Sequence, residues 1–316
     1  MYIAGMIFTA IFVSYLQSYN FNNMYILNRP YKVKRNLLFY ISFLILVFAA
    51  CSEDNNQFLV PSDPEDEIFE VHFIDVGQGD AIFIKTPDKV MLVDAGTSPS
   101  IVSDYLLSHD IEEIDIVIGS HPHFDHIGGL IDVFHTFEIG EVIDPGAEHD
   151  TYTYNEYIGT IEGYNIDLTI GRKGMTWELA ENASMELLHP QEPLHWHLND
   201  VSIVANVTLG EVKVLLTGDA ESHSESQMLE EPELLEADIL KVGHHGSYTS
   251  SSTDFLEAVD PEVSVIMCGE DNDYGHPHDD ALERLNATGT DIYRTDIHGH
   301  IVIEIEDGEY TIVDNS

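Results

Sequence analysis

The chain has 316 residues and carries 12 Lys and Arg against 57 Asp and Glu, a formal net charge of −45; its length allows one large domain. So acidic a chain is a poor general binder of nucleic-acid backbone, which draws on Lys and Arg, while 44% hydrophobic and 10% aromatic residues argue against disorder. With only Cys51 and Cys268 present, no disulfide framework is available.

The charge is not spread evenly. Residues 1–51 hold no acid and four basic residues, Arg29, Lys32, Lys34 and Arg35; all 57 acids follow Cys51, where eight basic residues leave a formal charge of −49. Leu37 to Ala50 is an apolar run, short for a membrane span of about 20 residues and suited to a signal-peptide core. Ala49 and Ala50 before Cys51 resemble a lipoprotein box, so Cys51 is the expected lipid-bearing N-terminus of an outward-facing, membrane-anchored protein. The alternative is an uncleaved anchor helix. Met1 to Leu16 is a second apolar run, and Met24 an alternative start. Residues 52–68, rich in Asp, Asn, Ser and Pro, read as a flexible acidic linker. The expected division is 1–51 anchor segment, 52–68 linker and 69–316 catalytic domain. A charge of −49 repels itself unless salt screens it, the surface expected of a halophile.

Past the linker, Glu70–Asp75, Ala81–Lys85 and Val90–Val93 are predicted strands, with Pro87-Asp88 turning between the last two. Pro99–Leu107 reads as a helix and Ile114–Ile118 as a buried strand. His121-Pro122-His123-Phe124-Asp125-His126 follows: three imidazoles and a carboxylate, the ligand types for zinc, manganese or iron. Gly128-Gly129 then opens an apolar helix to Phe134. Residues 144–182 show no clear period; Tyr152, Tyr154, Tyr157, Tyr164 and Trp177 there are either a substrate-facing flap or packing aromatics. Strands are predicted at Met185–Leu188, Val201–Leu209 and Val212–Leu216, with Gly210-Glu211 as a hairpin turn. A helix at Ser222–Glu230 follows, then strands at Asp238–Val242, Val263–Met267, Asp291–Arg294 and His300–Ile305 and a helix at Ala281–Asn286. Cys268, after a buried strand, is read as core. Strands mixed with helices predict a layered α/β domain, with the layering left open.

Four segments then carry a resemblance. Leu92-Val93-Asp94-Ala95-Gly96, the His121–His126 run, Leu216-Thr217-Gly218-Asp219 and His244-His245-Gly246-Ser247 resemble the metallo-β-lactamase superfamily. Phe73-Ile74-Asp75-Val76-Gly77-Gln78-Gly79-Asp80-Ala81, Asn199-Asp200-Val201-Ser202, Lys241-Val242-Gly243-His244 and Tyr274-Gly275-His276-Pro277 resemble its ComEC-type competence hydrolase domain, over about residues 69–313; the membrane channel of full competence proteins has no counterpart here. The resemblance implies an αββα sandwich and two divalent ions, zinc or manganese. His121 and His123 would hold one ion; Asp125, His126 and one of the His244–His245 pair the other; Asp219 would bridge them. Asp94 would orient a ligand or a water. Asp94, Asp125 and His244 are the candidate catalytic residues.

Some positions stay open at this point. If His244 and His245 lie in an extended segment they face opposite ways; His245 is favoured as ligand and His244 as substrate contact or acid. His189, His195 and His197 lie where many relatives supply a further ligand, but the ComEC-type pattern places Asn199-Asp200 there, so a single ion is also possible. His276 either reaches the substrate phosphate or caps the next helix, Asp80 either serves the site or holds its loop, and Lys241 is read as solvated or ion-paired. The implied function is a metal-dependent hydrolase, acting through a metal-activated hydroxide on a phosphodiester, either DNA or a small phosphodiester. The alternatives are a β-lactamase-like amide or ester hydrolase and a non-catalytic surface-binding lipoprotein. No protein partner is legible.

Overall fold

The computed structural model describes residues 68–313. The anchor segment, Met24, Cys51 and the linker up to residue 67 lie outside the described residues. Among those described, no helix is long and apolar enough to cross a membrane.

In chain order the elements are β1 (Phe69–Phe73), β2 (Ile82–Lys85), β3 (Val90–Val93), α1 (Ile101–Ser108), β4 (Glu113–Ile118), α2 (Phe124–Ile127), α3 (Leu130–Thr136), β5 (Glu138–Asp144), α4 (Tyr152–Tyr164), β6 (Asp167–Ile170), β7 (Thr176–Ala180) and β8 (Ala183–His189). There follow β9 (Val204–Leu209), β10 (Val212–Leu216), α5 (Ser222–Met228), β11 (Ile239–Lys241), α6 (Thr253–Val259), β12 (Val263–Ile266), α7 (Asp279–Thr288), β13 (Asp291–Arg294), α8 (Thr295–His298), β14 (Ile301–Glu306) and β15 (Glu309–Val313).

They form two mixed sheets, β15-β14-β1-β2-β3-β4-β5-β6 and β13-β12-β11-β10-β9-β8-β7. Alternation along each strand sends side chains to both faces. Val71, Ile82, Ile84, Met91, Val93, Ile116 and Ile118 of the first sheet share one core with Met185, Leu187, Val207, Val214 and Val265 of the second. The intervening residues Phe83, Leu92 and Val117 face outward and bury against Leu106, Val133, Phe134 and Tyr157 on helices α1, α3 and α4. Leu215, Leu240 and Ile266 do the same against Met228, Phe255 and Leu285 on α5, α6 and α7. Strands covered on both faces read as continuous apolar runs rather than alternating ones, which is why the sequence pattern left the layering open. The architecture is the αββα sandwich.

Two regions differ from expectation. The strand expected from Val201 begins at Val204, because Asn199–Val201 form a turn of 3-10 helix. Asp200 Oδ1 there accepts from the backbone N–H and hydroxyl of Ser224, and Ser202 Oγ accepts from Asp219 N–H; these side-chain bonds bend the chain out of the ladder. Residues 144–182 contain α4, β6 and β7 rather than a flap: Tyr157 is fully buried while Tyr152 and Tyr164 are exposed, and Trp177 donates to Glu141. Cys268 is buried and free, its thiol pushed up to about 12 mainly by burial.

Candidate metal centre

In each sheet a pair of parallel strands, β3 with β4 and β10 with β11, ends at the same place. The residues singled out from sequence lie on the loops just past those C-terminal ends, where open α/β sheets commonly build sites. Asp94 follows β3, the His121–His126 run follows β4, Asp219 follows β10 and His244-His245 follow β11.

Past β4 the chain bends at His121 and Pro122, where the His123 amide donates to the His121 carbonyl at 3.0 Å, and after an extended His123 (φ −82°, ψ 149°) it turns into the single-turn helix α2. That switch aims His121 and His123 to one side and Asp125 and His126 to the other. His121 Nε2 lies 2.9 Å from His123 Nδ1 and 3.7 Å from Asp219 Oδ2. Across the site, His126 Nε2 lies 3.2 Å and His245 Nε2 3.5 Å from Asp219 Oδ1, with Asp125 Oδ2 3.4 Å from His245. His121, His123 and Asp219 thus form one group able to hold an ion, and Asp125, His126 and His245 a second. Asp219 turns one oxygen to each.

The fit to a metal shows in groups that no side chain satisfies. His126 Nε2, His245 Nε2 and Asp219 Oδ1 are buried without a hydrogen-bond partner, an arrangement that is costly unless something else satisfies them. The opposite nitrogen of each ring is engaged. His126 Nδ1–H donates to Asp94 Oδ2 at 2.7 Å, and His245 Nδ1–H to the Met267 carbonyl at 2.8 Å. With Nδ1 carrying the proton, the neutral form of each ring would have its lone pair on Nε2, the tautomer that metal binding requires. Asp94 itself accepts from the Ser120 amide at 2.8 Å and hydroxyl at 2.6 Å.

Without an ion, the carboxylates around the site favour protons on His126 and His245, which a bound metal would displace. Burial alone would raise Asp219, but His126, His245 and His244 outweigh it and hold the carboxyl well below its usual range. Burial lowers His245 too, yet Asp219 and Asp80 raise it to about 9. His121, desolvated and beside His126, is held well below the ordinary imidazole value.

His244 and His245 are not extended. Both take left-handed backbone, φ 46° and 54°, so the expected opposite facing does not follow from alternation. His245 is buried. His244 is half-buried with Nε2 3.7 Å from Asp219 Oδ2 and Nδ1 3.0 Å from Glu221 Oε1. Glu221 also accepts from Asn199 Nδ2 at 3.1 Å, which brings Asn199 into the cleft. Of the three histidines in that interval, His189 is bonded to Ser202 and Gln227, and neither His195 nor His197 belongs to the two groups around Asp219.

Asp80 is buried beneath the site, Oδ1 3.3 Å from His245 Nδ1 and Oδ2 2.5 Å from Lys241 Nζ. Lys241 is fully buried, so it is ion-paired and not solvated. His276 does not cap α7; His278 occupies that cap position. His276 lines the cleft, its Nδ1 buried without a partner and its basicity pushed down to about 4, chiefly by burial. Sequence reasoning missed Ser120, Glu221 and His149. Glu221 stands two residues past Asp219, which is the one signal that could have found it.

The ligand groups open into a cleft of about 400 Å³ lined by Gln78, His123, Phe124, Asp125, His149, Thr151, Thr153, Asn199, Asp219, His244, His245, Tyr274 and His276.

Residues 74–270 match the model of the metallo-β-lactamase superfamily. The chain is similar to ComE operon protein 3 of Bacillus subtilis, 26% identical over 252 residues, 73% of this chain and 32% of that protein. It is 30% identical over 240 residues to competence protein ComA of Neisseria gonorrhoeae, covering 75% of this chain and 32% of the relative. For recombination protein 2 of Haemophilus influenzae the values are 31% over 239 residues, 74% and 28%. The chain therefore spans under a third of the length of the curated relatives it matches. Among solved structures, it shares a fold with CmlA, a diiron β-hydroxylase from Streptomyces venezuelae, at TM-score 0.50 and 17% identity over 77% of this chain and 55% of that one.

Proposed function

Given that the chain belongs to the metallo-β-lactamase superfamily of metal-dependent hydrolases, we propose that it hydrolyses phosphodiesters at the cleft described above. The observation that carries this reading is the convergence of His126 Nε2, His245 Nε2 and Asp219 Oδ1, buried and without a hydrogen-bond partner, beside a cleft that Asp219 and His245 line. His121, His123 and Asp219 would hold one divalent ion, zinc or manganese, and Asp125, His126, His245 and Asp219 a second. Bound there, divalent ions supply an activated water and neutralise charge on the entering and leaving oxygens.

The protein's own groups do the rest. Asp94 and the Met267 carbonyl fix the two rings. Glu221 orients His244, whose Nε2 contacts a phosphoryl oxygen or protonates the leaving group. Asn199 and His276 give further polar contact to the substrate. The competence relatives support DNA or a smaller phosphodiester as substrate. We further propose that lipid on Cys51 anchors the domain outside the cell; an unmodified peptide crossing Ala50–Cys51 in mass spectra of the native N-terminus would overturn that part alone.

The test is chelation of the purified protein, reconstitution with zinc or manganese, and assay on a chromogenic phosphodiester beside a β-lactam. Metal-dependent phosphodiester cleavage is expected. Activity that survives chelation, or cleavage of the β-lactam alone, would sink the reading.

A further inference from the structure

None of the described residues lining the cleft is Lys or Arg. A phosphodiester strand is usually gripped by such cations. Two large aromatic rings stand there instead. Phe124 sits between two ligand residues, His123 and Asp125, yet is 55% exposed, and Tyr274 is 65% exposed. Both line the same cleft.

Neither ring is a loose side chain. Phe124 lies over the bare backbone of Gly128, where an added Cβ would come within 2.8 Å of Cδ2 and Cε2 of the ring. Tyr274 is stacked on His276, ring centroids 5.6 Å apart and planes 17° from parallel. In each case one side of the ring is backed by the protein while more than half of the residue stays exposed. Leaving such surface in water gives up apolar burial, and a fixed ring beside a reactive centre suits stacking against another flat ring.

We propose that Phe124 and Tyr274 form a ring-stacking subsite that takes a nucleobase next to the scissile phosphate and supplies the affinity that cationic side chains give elsewhere. This rests on the phosphodiesterase reading and narrows it from phosphodiesters in general to nucleotidyl ones. Stacking also survives high salt, whereas contacts to phosphate weaken steeply with it, so the subsite matches the acidic surface.

Two substrates with the same leaving group test it: thymidine 5′-(p-nitrophenyl phosphate) and methyl p-nitrophenyl phosphate, assayed on the metal-loaded full chain. The ratio of their kcat/KM values is expected to favour the nucleoside ester by roughly tenfold or more. That ratio should fall about tenfold in Phe124→Ala and in Tyr274→Ala and be kept in Phe124→Trp. Trp196→Ala, which removes a ring 82% exposed but outside the cleft, should leave it unchanged. No preference in the parent protein, or equal losses on both esters in the two alanine variants, would overturn the subsite. If neither ester is cleaved, the phosphodiesterase reading falls. The subsite is then read from fluorescence-detected binding of oligo(dT) against an abasic oligonucleotide at 1 M NaCl: preference for oligo(dT) that is lost in Phe124→Ala supports it, and equal binding overturns it.

Discussion

With Oδ1 toward His126 and His245 and Oδ2 toward His121 and His244, Asp219 turns a carboxylate oxygen to each of the two proposed ligand groups. Asp219→Ala should therefore cost both ions, read as metal content by elemental analysis, and activity should fall by at least about a thousandfold, since metal stabilisation of developing charge is worth several kcal/mol. Full metal content in that variant would refute the bridging role. Asp94 acts one step back. In Asp94→Ala the Ser120 amide, the Ser120 hydroxyl and His126 Nδ1–H lose their acceptor, and metal affinity should drop roughly 10–100-fold by chelator competition. Asp144, at the end of β5, gives a test independent of metal. Burial holds its carboxyl up at about 6, above the ordinary 3.8. The folded state thus binds that proton more tightly than the unfolded one. The resulting stability is complete below about pH 3.8 and is lost as pH rises through about 6, by on the order of 1–3 kcal/mol. Asp144→Asn, which keeps an oxygen for the Gly146 amide, should gain in melting temperature relative to the parent as pH rises from 4 to 7. A difference that stays constant over that window would contradict the assignment.

At the scale of elements, the loop between β1 and β2 is pressed against the start of α2. Gly79, with φ +137°, leaves no room for a Cβ, which would collide with the Asp125 carbonyl, and the close approach lets the Asp80 amide donate to that carbonyl at 3.2 Å. Gly79→Ala should push Asp125 out of its ligand group. Both a lower melting temperature, by the equivalent of about 2 kcal/mol, and weaker binding of one ion are expected; unchanged metal affinity would show that the loop does not support the site. The legible elements are those that carry long apolar runs or motif residues: β1 to β4, β8 to β14, and the histidine run, whose ligand types and spacing announce their chemistry. What was lost has physical causes. In α4 the buried positions Tyr157, Thr160 and Ile161 keep helical spacing, but Thr160 is polar and Gly159 and Gly163 dilute the pattern. Gly140 interrupts β5, and β6 is a largely exposed edge with too few apolar residues to show a period. The left-handed turn at His244-His245 has no signature in side chains that seldom adopt it. His149 reaches the cleft through the fold, so nothing local to it marks its role.

At the scale of the molecule, the question is how a domain so acidic stays folded. Six of the eight basic residues after Cys51 already lie against a carboxylate: Lys85 with Glu70, Arg172 with Glu192, Lys173 with Glu231, Lys213 with Glu236, Lys241 with Asp80 and Arg294 with Asp296. Arg284 is committed to the carbonyls of Tyr248, Ser250 and Ser251. With 57 acids in the chain, most carboxylates have no basic side chain to meet, and their mutual repulsion acts on the folded state more than on the expanded one. Mobile ions are what remains to screen it, over about 10 Å at 0.1 M salt and about 3 Å at 1 M. The melting temperature is therefore expected to rise by roughly 5–10 °C between 0.1 M and 2 M sodium chloride, about 2–3 kcal/mol for a domain of this size. Chloride is the informative salt, because sulfate strengthens apolar burial in any protein. A melting temperature that is flat across that range would mean that the carboxylates are spaced widely enough not to feel one another, and the proposed adaptation to high salt would fall while the metal centre stood.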